Sequence, residues 1–417
     1  MLCTFAQVPV ALHYLGTEAY GLWITLLSIV LVLSSVDFGL GVGMQHAMAR
    51  AFGNDDMESM RRTFWTGGAA LLALGLAVLL VGIPIARYSA WQDILRISEP
   101  GLRADAANGL SLAIAAFVVG LPLNAATRLA AALQRGWMNA GWIAFGSALS
   151  LGLVVSAAAG HWGFLWFLAA SLLVPTVQGI GMAVHLLLSL GWSLLPTRLA
   201  PGSEIRRMLR SSLYYAIPQF GMALLQSAPA VAISMAAGSS AVTGYNLLLR
   251  LFSPFQQGQV ILLTPVWPAY TEAHERADHA WNERTLRRTL GAFAALSAGV
   301  ALVAWQSHAL LSIWVGVSAD KVPKGLAALV AAWIILQMAA QPFLYYLIGV
   351  GRLRELAWLA TPGLLLASAA LFFERGSGSV SGVLGAGSVV LGLALLPPLA
   401  WDSFRTARRL VGTEAGA

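Results

Sequence analysis

The chain of 417 residues has one cysteine, Cys3, so it can form neither an intrachain disulfide nor a multi-cysteine metal site. Charge is also scarce. Asp, Glu, Lys and Arg make up 10 % of the residues against 58 % hydrophobic, and the mean hydropathy is +0.73. An ordinary soluble fold is excluded by that balance. The patterns GxxxxGK[ST], HExxH, GxSxG and CxxC are all missing. Their absence argues against ATP hydrolysis and metal-assisted hydrolysis, and the chain is read as a non-enzyme with no cofactor or metal site. The start is apolar but lacks a basic n-region and a cleavage site, so no signal peptide is expected. The long apolar runs show no period-two alternation, which excludes barrel strands.

What remains is a series of apolar runs of about 20 residues, each long enough to cross a hydrocarbon core. Backbone polar groups must be satisfied internally in lipid, so the runs are helices. About twelve are expected: residues 1–15, 20–44, 63–86, 108–133, 137–159 and 162–190, then 211–237, 241–270, 289–311, 326–350, 353–373 and 380–401. The fold class is an all-α polytopic membrane protein with two six-helix lobes. The lobes cover residues 1–190 and 211–411, and a cytoplasmic linker over 191–210 carries prolines, glycines and four arginines.

The net charge of +7 comes from arginines between apolar runs, a pattern of orientation rather than of nucleic-acid binding. With a cytoplasmic N-terminus, the cytoplasmic segments collect most of these, including Arg50, Arg61, Arg62, Arg135, Arg206, Arg207, Arg287, Arg352 and Arg408. The opposite side receives Arg87, Arg96, Arg103, Lys321, Lys324 and Arg375. The positive-inside rule then places both termini in the cytoplasm.

The halves echo one another. Gly16 with Ala19–Gly21 matches Gly238 with Val242–Tyr245, and Arg61–Thr63 matches Arg287–Thr289. Asp93–Pro100 and Leu310–Val317 precede the fourth helix of each half. Pro122 and Pro342 interrupt that helix, and Gln134–Gly136 or Gly349–Arg352 ends it. Six helices per half implies like-oriented repeats about an axis along the membrane normal. The first helix has fifteen residues before Gly16 against about 27 for the seventh, so a late start or truncated first helix is expected.

Polar residues inside the runs are the site candidates. Asn246, Arg250, Ser253 and Gln257 share one helix face, with Gln256 and Gln259 near it. Ser212, Gln219 and Gln226 form a second stripe, and Gln7, Asp37, Asn124 and Arg128 are the first-half counterparts. Charges facing lipid cost several kcal/mol, about 3 on insertion scales, so this set is expected to face inward. Other roles stand beside the functional ones. Arg250 can clamp Asp37 or backbone carbonyls, Arg128 can snorkel, and the amides can bind helix to helix. His46, His274 and His279 read as interfacial bystanders, and the loop arginines also attract anionic lipid headgroups.

Leu15–Trp23 (LGTEAYGLW) followed by a long run and Asp37–Gly41 (DFGLG) resembles the start of Wzx-like O-antigen flippases. These belong to the multidrug/oligosaccharidyl-lipid/polysaccharide (MOP) exporter superfamily. The resemblance implies two six-helix lobes around a central cavity in a bacterial cytoplasmic (inner) membrane. The implied function is translocation of an undecaprenyl-diphosphate-linked oligosaccharide by alternating access, for surface polysaccharide biosynthesis. The lipid-linked oligosaccharide, membrane lipids and other polysaccharide-assembly membrane proteins are the partners it implies, and nucleic acid is not one. Under it Arg250, then Arg128, would bind diphosphate. Gln219, Gln226, Asn246 and Gln257 would meet sugar hydroxyls, and Asp37 would act as a gate or structural partner. The alternatives are a cation-coupled multidrug exporter or a flippase of a lipid-linked peptidoglycan precursor. A membrane glycan polymerase or ligase fits less well, because the extracytoplasmic loops are short. A coupling ion, H+ or Na+, is not specified by the residues.

Overall fold

In the computed structural model the chain is described over residues 2–34, 40–89, 91–193, 224–316 and 324–414, with Gly221 and Val322 besides. No strand occurs among these residues, and sixteen α-helices carry the fold. They are α1 (Leu2–Ser34), α2 (Leu40–Gly53), α3 (Met57–Tyr88), α4 (Trp91–Ile94), α5 (Pro100–Ala132), α6 (Gly136–Ala159) and α7 (Phe164–Ser189). Next come α8 (Leu224–Ala237), α9 (Ser239–Leu263), α10 (Val266–Glu275), α11 (His279–Trp305) and α12 (Ser307–Val315). The last four are α13 (Lys324–Gly349), α14 (Leu353–Phe373), α15 (Val380–Val390) and α16 (Leu396–Glu414). Nine spans among the described residues are long and apolar enough to cross a membrane, and the chain is a multi-pass membrane protein.

The backbone divides into two compact units, residues 1–223 with 238–240, and residues 224–237 with 241–417. Each uses the same local devices. Gly16 breaks α1 at φ 76°, ψ 174°, a kink that divides the span into two helical segments, as expected for the first two helices. Gly238 takes φ 85° between α8 and α9. Glycine is required at both, since a side chain is strained there by about 1–2 kcal/mol. The third long helix of each half begins with one device. Asp55 (φ 57°) precedes the N-cap Asp56, whose carboxylate accepts from the Ser59 amide at 2.9 Å. Ala277 (φ 58°) precedes the N-cap Asp278, which accepts from the Trp281 amide at 2.9 Å.

The turn after the fourth long helix is duplicated as well. Arg135 is the N-cap of α6 and donates to Ser189 Oγ at 3.0 Å, at the end of α7. Arg352, the N-cap of α14, donates to the Asp402 carboxylate at 3.0 Å and to Thr406, both on α16. Gly351 turns the chain there at φ 76°. Two arginines that count by sequence as orientation signals thus also tie the fifth helix of each half to the sixth.

Burial follows composition. The first unit packs Met44, Met48, Met60, Phe64, Leu129 and Leu186 into one cluster at the α2–α3–α5–α7 contact. In the second unit Trp333, Tyr245, Tyr270, Tyr346 and Phe252 are fully buried. The sixth helix of that unit contains a π-helical turn, Leu391–Leu395, opposite Gly363 of α14. A Cβ at Gly363 would meet Leu395 Cα at 2.9 Å, so the missing side chain lets α14 lie against the widened turn. Helix ends differ from expectation at several places. Helix α2 runs past the expected end at Met44 to Gly53, so Gly41 and Gly43 lie inside it. The expected helix over 241–270 is divided into α9 and α10, the one over 289–311 begins at His279, and the last, expected to end at 401, runs to Glu414.

Candidate functional site

The polar face expected on α9 forms by helical register, and it runs from buried to exposed. Asn246 is buried at 5 % exposure, Arg250 is half-buried and Gln257 is exposed. Pro254 interrupts the helix between them, and the Ser253 hydroxyl donates back to the Arg250 carbonyl at 2.8 Å. The Arg250 guanidinium makes no ion pair or hydrogen bond with any described residue. Gln259 turns the other way and donates to the Met338 carbonyl on α13 at 2.9 Å, so it joins two helices. Gln226 on α8 is exposed. Asp37 and Gln219 lie outside the described residues, as does the side chain of His46.

In the first unit Arg128 is half-buried and donates to Gln45 Oε1 of α2 at 3.4 Å. Asn124, exposed one turn earlier on α5, borders a half-open cavity of about 240 Å³ between α1, α5, α6 and α7. Its polar lining is Asn124, Thr127, Asn139, Thr176 and Gln178, and its walls include Val30, Phe117, Leu172, Pro175 and Met182. None of the lining residues is charged.

Local sequence explains how the cavity forms. Pro175 has no N–H to give the Ser171 carbonyl, which relieves that turn of α7 of a regular ladder bond, and polar Thr176 and Gln178 follow it. Gly146 and Gly181 let α6 and α7 approach: a Cβ at Gly146 would lie 2.0 Å from Gln178 Nε2, and one at Gly181 2.3 Å from the Trp142 ring. Gln178 therefore reaches across to donate to the Trp142 carbonyl at 2.9 Å. The Thr176 hydroxyl is turned back to the Leu172 carbonyl at 3.4 Å. Asn124 and Asn139 have no hydrogen bond to a described residue, so their carboxamides are available to a ligand. Each offers two donors and an acceptor with two lone pairs.

The sequence names Asn124; Thr127, three residues further along the same helix, is not among its candidates. Asn139 and Gln178 have no signal in the sequence, because tertiary contacts bring them to α5: Gly146 and Gly181 between α6 and α7, and Gly179 of α7, where a Cβ would lie 2.8 Å from Leu123 Cβ of α5. The cavity and the α9 face lie in separate units and are described separately.

No family model matches the sequence, and no curated protein does. Solved structures do. The chain is similar to an inward-facing conformation of a multidrug resistance MATE family transporter of the MOP superfamily. That match has a TM-score of 0.73 at 15 % identity and covers 99 % of this chain and 96 % of that one. An outward-facing structure of a transporter of that description gives 0.62 at 16 % identity over 98 % and 92 %. A MOP superfamily transporter from Pyrococcus furiosus, described as having a binding pocket of reversed polarity that suggests a different function, gives 0.64 at 16 % identity over 98 % and 92 %. At these identities the likeness is one of fold: two lobes of six helices, of the kind seen in MATE transporters.

Proposed function

We propose that this chain is an alternating-access exporter of small organic solutes, with Asn124 and Asn139 as ligand-binding groups in the first unit. The observation that carries the reading is the uncharged, amide-lined cavity of about 240 Å³ with two unengaged carboxamides. Concave sites of this type hold ligands by apolar walls and a few placed polar groups. The fold likeness to inward-facing and outward-facing MATE structures supports the transport class and the multidrug reading over a polysaccharide one.

A second reading has one observation in its favour. Arg250 is a half-buried cation with no partner among the described residues, next to the buried Asn246 on the same face. A guanidinium in that position suits a diphosphate, as in an undecaprenyl-diphosphate-linked oligosaccharide or peptidoglycan precursor. The sequence resemblance to Wzx-like flippases agrees with it, and Arg128, Gln219, Gln226 and Gln257 would then be auxiliary contacts. The arginine asymmetry supports cytoplasmic termini under either reading, and the sequence resemblance supports a bacterial inner membrane.

Paired complementation separates the two. Expression in a strain hypersensitive to dyes and antiseptics, and in one lacking its polysaccharide flippase, is expected to restore tolerance in the first only. Restored surface polysaccharide with no gain in tolerance would reverse the order of the readings.

A further inference from the structure

A second recess in the first unit differs in kind from the polar cavity. It is a cleft of about 530 Å³ between α3, α5 and α7, lined by side chains such as Leu72, Leu123, Ala126, Ile180 and Leu187. Trp65 is the one lining residue whose side chain carries a polar atom, its indole nitrogen. Leu72 and Ile180, 44 % and 47 % exposed, border its open side. From Trp65 to Leu72 the cleft follows α3 for about 10 Å at 1.5 Å per residue.

One end of the cleft is cationic. Phe64 of α3 lies 6.2 Å, ring to ring, from Trp192 just beyond α7, so the start of α3 and the end of α7 meet there. Arg61 and Arg62 precede Trp65 by four and three residues and so continue its stripe of the helix by one turn. Arg61 is neutralised by Glu58 at 2.6 Å, and Asp56 is engaged as the helix cap. Arg62 is not neutralised: it makes no ion pair with any described residue, and its Nε is buried without a partner. Trp65 Nε1 is buried without a partner too. Arg135 adds a charge at the end of α7 through Ser189, two residues beyond Leu187.

We propose that this cleft holds one acyl chain of an anionic glycerophospholipid, whose phosphate accepts from Arg62 and from the Trp65 indole N–H. An apolar slot takes the chain, an uncompensated guanidinium takes the phosphate, and an amphipathic indole sits at the boundary where it is favoured. The site is independent of the transport reading: its lining shares only Leu123 with the polar cavity, and neither Arg62 nor Trp65 belongs to that cavity.

Native mass spectrometry of the full chain in detergent tests it, with phosphatidylglycerol and phosphatidylcholine of identical acyl chains as probes. Wild-type protein is expected to retain phosphatidylglycerol about fivefold better than phosphatidylcholine, as one cation near a headgroup implies. The double variant Arg62→Ala, Trp65→Phe is expected to equalise the two lipids. Gly68→Leu, whose added Cβ meets nothing within 4 Å, fills the cleft and is expected to remove one bound lipid of either type. Unchanged thermal unfolding of both variants shows that the fold survives. Equal retention by the wild type, an unchanged preference in the double variant, or full lipid retention in Gly68→Leu would each overturn the proposal. Displacement of the lipid by millimolar inorganic phosphate would overturn it as well, by reducing the site to a bare anion contact.

Discussion

Several side chains do more than their residue type suggests. Arg352 ends the GVGR segment, where it reads as a charge left in a loop. In the fold it holds Asp402, which is 6 % exposed, together with Thr406, and it lies 3.6 Å from Glu355. Asp402→Ala leaves Arg352 without its principal acceptor and is expected to cost about 1–3 kcal/mol, read as a lowered unfolding temperature in detergent. A double-mutant cycle with Arg352→Ala then shows coupling, because the partner is already gone. Gly363 is a purely steric case. Gly363→Val drives a side chain into the backbone of the π-helical turn at Leu395 and is expected to cost about 1–3 kcal/mol. Retained stability would mean that α14 can shift along its neighbour, and thermal unfolding decides between these outcomes.

At the scale of elements, the duplicated helix start is the clearest repeat. Asp56→Ala and Asp278→Ala each remove a cap and are expected to cost about 1 kcal/mol. Hydrogen exchange is expected to quicken at the Ser59 amide in one variant and the Trp281 amide in the other, each change confined to its own first turn. These elements were largely legible in the sequence. Helix positions follow from run length, the Gly16 and Gly238 breaks from their matched surroundings, and Pro122 and Pro342 from their place in the fourth helices. Two kinds of feature were not. The Asp caps escape notice because their flanking residues differ between halves, Asp55 against Ala277. The π-helical turn is set by packing on Gly363, and no periodicity in Leu391–Leu395 reveals it.

For the whole molecule, class was readable and chemistry was not. Low charge and long apolar runs specify a polytopic helical protein, and solved structures of MATE transporters share its fold. The site is harder to read because polar residues count only when tertiary contacts collect them. Arg250 and Asn246 share a face by register, so α9 could be anticipated. Asn139 meets Gln178 where Gly146 and Gly181 bring α6 against α7, and Gln178 joins Asn124 where Gly179 lets α7 lie close against Leu123 of α5. The transport reading rests on that cavity. The most direct test is solute movement by the purified chain in proteoliposomes under an imposed proton or sodium gradient, with a fluorescent organic dye as substrate. Gradient-dependent dye movement is predicted, falling about tenfold in Asn124→Ala and in Asn139→Ala through loss of a hydrogen bond worth about 1.4 kcal/mol. Dye movement absent under both gradients, or present and unaffected by either substitution in folded protein, would contradict the account.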